Sequence, residues 1–137
     1  MPLAIASNPL ARELGGTLLE LDDTRGEALI AFEPSAQHVQ GSGVIQGGIN
    51  ATMLDFAMAF AGHAKLAAAA ATAGFATATL TVQLLRPALP GRYLARGRIV
   101  RQGTRLMFAE SSLSAADDAR LVATASSVLA LTSSRER

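Results

Sequence analysis

The chain has 137 residues, 50% of them hydrophobic, and a formal net charge of +1. That length predicts one domain over 1–137, and the balanced charge gives no electrostatic case for binding nucleic acid or an anionic membrane. The lack of cysteine excludes disulfides and thiolate metal sites, and two distant histidines do not suggest a zinc site. Without the pattern of a membrane span or a signal peptide, we expect a cytoplasmic protein with no metal ion.

Capping and turn residues predict a short helix and two strands at the start of the chain. Asn8 can cap a helix whose first residue is Pro9, within an N-terminal helical segment over 1–16. Strands are predicted over 17–22 and 27–33, joined by a turn. The stretch 34–46 is rich in Ser, Gln and Gly, and we expect a loop there, with His38 exposed to solvent.

A long helix is predicted from about Gly47 to about Leu66, and the alanine-rich run 67–73 either extends it or forms a link. Its residues are apolar on every side of the helical wheel, which predicts a helix enclosed by other elements. Asp55 is the exception, because burying a carboxylate costs free energy unless a partner compensates. A structural and a catalytic role for Asp55 both stay open at this point. Asn50, in the first turn, is expected to face a neighbouring backbone.

The rest of the chain predicts four strands, over 77–84, 92–101, 105–114 and 120–131, followed by a frayed tail over 133–137. In the first of them, Leu80, Val82 and Leu84 alternate with Thr77 and its neighbouring polar residues. The predicted order is two strands, one long helix and four strands. This order indicates an α+β fold in which an antiparallel β-sheet wraps around one long central α-helix.

Several motifs in this order resemble the hotdog-fold acyl-CoA thioesterases of the PaaI type. They are the run GVIQGG over 43–48, Asp55, the strand ending in LRPA over 85–88, Gly91, VRQGTR over 100–105 and LVATA over 121–125. The resemblance spans about 26–132. It implies a hotdog fold and hydrolysis of acyl-CoA thioesters, with aryl or phenylacetyl-type acyl groups as one option. Coenzyme A would enter as part of the substrate, and no cofactor is implied.

The resemblance also implies four catalytic residues. Asp55 would be the nucleophile or the general base for water, and Gly47 would donate its backbone N–H to the thioester carbonyl. Gln40 takes the place of a family amide near the leaving group or water. Thr77 matches a residue that helps to hold the water or the carboxylate.

Five further residues are candidates for binding the substrate. Gln46 stands where the family most often has a histidine, and it can form similar hydrogen bonds but cannot titrate. Arg86, Arg101 and Arg105 are candidates for binding the phosphates of coenzyme A. The alternative for each of them is a solvated position on the surface. The five are Gln46, Gly48, Arg86, Arg101 and Arg105.

The predicted helix separates two of the catalytic residues. Asp55 lies eight residues after Gly47, or about 12 Å along a helix axis, whereas a reaction centre must lie about 3 Å from both groups. We therefore expect a homodimer with shared sites, and we expect two such dimers to form a homotetramer. Gln40 and Gly47 would come from one subunit and Asp55 and Thr77 from its partner.

Two other functions compete with hydrolysis. A hotdog-fold enoyl-CoA hydratase or dehydratase would need a His/Asp pair, and neither His38 nor His63 has an acidic neighbour at a suitable sequence spacing. A non-catalytic acyl-CoA-binding protein would bind the thioester without releasing thiol. A regulator of that kind usually carries an output domain, and 1–16 is too short to hold one.

Overall fold

The computed structural model describes residues 5–68 and 74–132, and the predictions for 1–4, for most of the alanine run and for the tail at 133–137 lie outside these ranges. Within these ranges the α-helices are α1 (Pro9–Glu13) and α2 (Gly47–Ala68), with 3-10 turns at Ile5–Ser7 and Ala36–His38. The strands are β1 (Thr17–Asp22), β2 (Glu27–Phe32), β3 (Gly74–Leu84), β4 (Tyr93–Gln102), β5 (Leu106–Ala115) and β6 (Leu121–Thr132). All predicted elements within the described residues are found, with ends that differ by a few residues.

The six strands form one antiparallel sheet in the order β1-β2-β4-β5-β6-β3. The predicted α+β fold, an antiparallel sheet around one long helix, is therefore confirmed. Strand β3 pairs with β6 and forms one edge of this sheet, and β1 forms the other edge. Among the described residues, no helix is both long and apolar enough to cross a membrane.

Helix α2 packs closely on one face of the sheet because small residues line the contact. A Cβ atom on Gly97 of β4 would lie 2.3 Å from the carbonyl oxygen of Ala57, so only glycine permits this approach. Met53, Leu54 and Met58 of the helix are fully buried in the same core. Burial of these apolar side chains between the helix and the sheet is the main contribution that stabilises their packing.

The N-terminal helix α1 lies against the Ala36–His38 turn and one side of α2. As predicted, the Asn8 side chain caps α1, accepting hydrogen bonds from the N–H groups of Leu10 and Ala11 at 3.0 and 3.2 Å. The expectation of a solvated His38 is wrong, since His38 is buried within the Ala36–His38 turn. Its Nδ1 accepts a hydrogen bond from the Ser35 N–H at 2.9 Å, and its Nε2 lies 3.3 Å from a carboxylate oxygen of Glu13. The sequence did not reveal this acidic neighbour because it lies on α1.

Strand β3 contains a bulge that changes which side chains face the helix. Thr77 pairs with Leu129 and Thr79 pairs with Val128, so Ala78 is an extra residue in β3. Leu129 is fully buried, and its pairing places Thr77 on the helix side of the sheet. A regular strand would have put Thr77 on the opposite face from Leu80. The bulge therefore brings both side chains to the same face.

Candidate functional site

The start of α2 presents a single unoccupied backbone donor. The side-chain oxygen of Gln46 accepts a hydrogen bond from the Gly48 N–H at 2.6 Å, and the Gln46 carbonyl accepts from Ile49 at 2.9 Å and Asn50 at 3.3 Å. Gln46 thus acts as the N-cap of the helix. Within the described residues, the Gly47 N–H has no hydrogen-bond partner. It points from a helix N-terminus, where backbone N–H groups favour negative charge.

A cavity of about 330 Å³ lies beside this donor. Gln40 and Gly47 line it together with Arg86, which is exposed just after β3. The structure therefore brings together three of the residues predicted for the site. The side-chain oxygen of Gln40 accepts the Ser42 N–H at 2.7 Å, which holds the loop in a tight turn.

The second group of predicted residues consists of Asp55 and Thr77. The Thr77 hydroxyl donates a hydrogen bond to a carboxylate oxygen of Asp55 at 3.3 Å. Asp55 is partly buried, and desolvation raises the pKa of its carboxyl group above 3.8, while the hydrogen bond from Thr77 acts in the opposite direction. A carboxylate with a raised pKa is a better proton acceptor than an ordinary aspartate.

Asp55 opens into a separate, largely apolar cavity of about 290 Å³. Ala51, Phe56 and Ala59 of α2 line it together with Leu80 of β3 and Leu10 of α1. The chain's own elements therefore cover this side of the helix only in part, which corrects the expectation of a helix enclosed by other elements. An aliphatic or aromatic group of a ligand, or an apolar side chain, would be compatible with these walls.

The two groups of residues do not meet within one chain. Gly47 of the first group and Asp55 of the second lie on the same helix, at positions about 12 Å apart along its axis. Arg101 is farther away, because it lines a third cavity together with Lys65 near the C-terminal end of α2. Arg105 also lies at that end of the sheet, where its carbonyl accepts the Leu131 N–H. Arg86 alone of the three arginines lies beside the Gly47 donor.

Sequence reasoning missed a polar residue of the first cavity. Asn50 was expected to face a neighbouring backbone, but its side-chain oxygen is buried without a hydrogen-bond partner while the residue lines the cavity with Gln40 and Gly47. Its spacing of three residues from Gly47 on a helix was the available signal. Within 5–68 and 74–132, no group of three or more His, Asp or Glu residues could hold a metal ion.

The solved structures that resemble this fold include the following three. A phenylacetic acid degradation-related protein from Ralstonia eutropha JMP134, described as a thioesterase, is 29% identical over 90% of this chain and 89% of its own, with a TM-score of 0.82. The E. coli PaaI protein from the phenylacetic acid degradation operon is 20% identical over 93% and 86%, with a TM-score of 0.81. The protein smu.793 from Streptococcus mutans UA159, solved bound to acetyl CoA, is 16% identical over 86% and 89%, with a TM-score of 0.76.

These similarities confirm the hotdog fold that the sequence motifs implied. The E. coli and Streptococcus mutans structures are 20% and 16% identical to this chain, and they support the fold alone. No curated protein sequence matches the chain. The family model of the thioesterase superfamily matches residues 42–123, a range that begins before the Gly47 donor and includes Asp55 and Thr77. Since this match covers more than half of the chain, the protein belongs to the thioesterase superfamily.

Proposed function

We propose that this protein hydrolyses acyl-CoA thioesters to a free acid and coenzyme A, at sites shared between two subunits. The observation that carries the proposal is Asp55: a partly buried carboxylate with a raised pKa, hydrogen-bonded to Thr77 and open to an apolar cavity. Nothing in the core of a purely structural helix requires such a group. Membership of the thioesterase superfamily supports the reaction class, and the choice of a coenzyme A thioester belongs to the proposal.

In the proposed reaction, the thioester carbonyl accepts a hydrogen bond from the Gly47 N–H. Asp55 removes a proton from water, whose oxygen forms a bond to the carbonyl carbon. The negative charge that develops on the carbonyl oxygen is stabilised by the Gly47 donor and the helix N-terminus. The C–S bond then breaks, the thiolate leaves and takes up a proton, and the acid is released. Direct attack by the Asp55 carboxylate, followed by hydrolysis of the resulting anhydride, is the alternative order of steps.

A two-fold axis can bring the separated groups together. Ala51 lies midway between Gly47 and Asp55 on α2, so two antiparallel copies of α2 that cross at Ala51 place each Gly47 opposite the partner's carboxylate. The small Ala51 and Ala59 side chains on this face allow close approach of two helices. Strand β3 has an unpaired edge along the same side of the molecule. Leu80 and Leu84 are 38% and 56% exposed on it, as expected for a surface that another subunit covers.

The coenzyme A part of the substrate is supported by two observations. One structural neighbour, smu.793, is bound to acetyl CoA. On this chain, the exposed Arg86 beside the Gly47 cavity provides a guanidinium for a phosphate. Aryl or phenylacetyl-type acyl groups suit the Phe56-lined cavity near Asp55, and a tetramer of two such dimers and a cytoplasmic location stay predictions.

Mixed dimers test the shared site. Asp55→Asn removes the base from one subunit. Gly47→Pro removes the N–H donor of the other, and proline is well tolerated at the first position of a helix. We expect each variant alone to lose thioesterase activity, and mixed dimers to regain one intact site of two. Gly47→Ala is the matched control, since it keeps the N–H and its Cβ meets only the end of the Leu84 side chain at 2.9 Å.

Two results would contradict the proposal. Mixed dimers without any regained activity, from subunits shown to exchange, would show that the two groups do not serve one shared site. Tight binding of acyl-CoA by the wild-type protein without release of thiol would instead identify the non-catalytic acyl-CoA-binding protein. Thiol release can be followed with a thiol-reactive dye across a panel of aromatic and aliphatic acyl-CoAs.

A further inference from the structure

The cavity beside Gly47 contains a polar group that the proposed reaction does not use. Asn50 is only 4% exposed, and its side-chain oxygen has no hydrogen-bond partner in the described part of the chain. The residue lies three positions after Gly47, on the first turn of α2, and lines the cavity with Gln40 and Gly47. Its own N–H is already used, since it donates to the Gln46 carbonyl.

A buried amide oxygen without a partner is costly. The penalty for leaving such a group unsatisfied is about 1–3 kcal/mol. Two other residues that line the cavity, Gln40 and Arg86, carry side-chain N–H donors, but neither forms a hydrogen bond with the Asn50 oxygen. An isosteric leucine at this position would avoid the penalty. Asn50 lines the cavity, but its unpartnered oxygen has almost no accessible surface, so a donor from a ligand would reach this oxygen after a rotation of the amide about χ2, a torsion with a broad energy minimum.

We propose that Asn50 is a substrate-binding residue whose side-chain oxygen accepts a hydrogen bond from a donor group of the bound thioester. This inference rests on the proposed function for the identity of the ligand. Two parts of an acyl-CoA carry such a donor close to the carbonyl bound by Gly47. One is the N–H of the amide nearest the sulfur, and the other is a hydroxyl group on the acyl chain. The shared chemistry is an N–H or O–H donor placed within the Gln40–Gly47 cavity.

Three non-hydrolysable thioethers of coenzyme A separate these sources. In the first, S-phenacyl-CoA, the only donor near the sulfur is the amide N–H. The second adds a hydroxyl group to the phenyl ring. The third is S-phenacyl-CoA with an ester oxygen in place of the sulfur-proximal amide N–H. All three keep the nucleotide and the ketone, so their affinities can be compared by calorimetry without turnover.

The variants are Asn50→Leu, which keeps the size but removes the acceptor, and Asn50→Asp, which keeps an acceptor near a helix N-terminus that tolerates negative charge. If the amide arm is the source, Asn50→Leu weakens binding of the two amide-bearing probes about tenfold and leaves the ester probe unchanged. If the acyl hydroxyl is the source, only the hydroxylated probe weakens. In either case, Asn50→Asp binds the three probes with the same order of affinities as the wild type.

The inference is overturned if Asn50→Leu binds all three probes as tightly as the wild type, or weakens them all equally. Circular dichroism and thermal unfolding confirm that the compared variants are folded. Failure of the proposed function gives a different result. In that case Asn50→Leu would still weaken binding of some probes selectively, while the wild-type protein would hydrolyse no acyl-CoA. If the wild type hydrolyses acyl-CoA but Asn50→Leu does not weaken any probe selectively, the proposed function stands and Asn50 is not a substrate-binding residue. If none of the probes binds the wild type, the inference is also overturned.

Discussion

Replacing Asp55 with asparagine separates a catalytic carboxylate from a structural one. The substitution keeps the size and can still accept the hydrogen bond that Thr77 donates at 3.3 Å, but it removes the negative charge. If Asp55 is the base or the nucleophile, kcat should fall by about 10²–10⁴-fold, the usual contribution of such a group. That loss corresponds to roughly 3–5 kcal/mol in the activation barrier.

Stability should change in the opposite direction. Because burial raises the pKa of Asp55 in the folded protein, the folded state holds this proton more tightly than the unfolded chain. The charged carboxylate therefore destabilises the fold above the raised pKa. This effect disappears as the pH falls below about 3.8, where both states are protonated. Asp55→Asn should consequently unfold at a slightly higher temperature than the wild type at pH 7, and the difference should shrink with acidification.

The measurements are steady-state thiol release at pH 7–8 and thermal unfolding at neutral and acidic pH. Ala59→Ser is a suitable control, because it adds a hydroxyl to the wall of the same cavity without altering charge. A folded Asp55→Asn protein with near-native kcat would refute the catalytic role. An Asp55→Asn protein that is clearly less stable at pH 7 while its folded fraction keeps full turnover would assign the carboxylate to the structure.

Three further substitutions test the surroundings of the site. Thr77→Val removes the hydrogen bond that lowers the pKa of Asp55, so the acid limb of the kcat/KM profile should move to higher pH, and an unchanged limb would contradict the pairing. Gln46→Ala should cost about 1 kcal/mol of stability through loss of the cap on Gly48, measured by urea unfolding. Gln46→His should keep turnover within about tenfold, and complete loss in a folded protein would show direct participation. Arg86→Gln should raise KM for acyl-CoA several-fold but leave the N-acetylcysteamine thioester, which lacks phosphates, unaffected.

Much of the fold could be predicted because its signals are local. The limits of α2 follow from an apolar run that starts at paired glycines, and β4, β5 and β6 follow from alternation with a period of two. The cap at Asn8 was predicted from one residue and the proline after it. In each case, the residues that determine the element lie within that element or directly beside it in the sequence.

The unpredicted features all depend on contacts between distant residues. His38 is buried because Glu13 and α1 close over it, and no spacing within 34–46 indicates that. Asn50 faces a cavity formed by the segment after β3, far away in sequence. The bulge at Ala78 was also missed, because the sequence alternates regularly on both sides of it, and only pairing with β6 shows the extra residue.

That bulge connects the edge of the sheet with the candidate chemistry. Without the extra residue, Thr77 would point away from α2, and the Asp55 carboxylate would lose the hydrogen bond that acts against the rise in its pKa. The same strand leaves its outer edge unpaired and its leucines exposed. In the proposed dimer, one strand therefore has two roles, since its inner face orients the carboxylate and its free edge meets the subunit that supplies the Gly47 donor. The partner helix would then cover the part of the apolar α2 face around Ala51 that Leu10 and Leu80 of the same chain leave open.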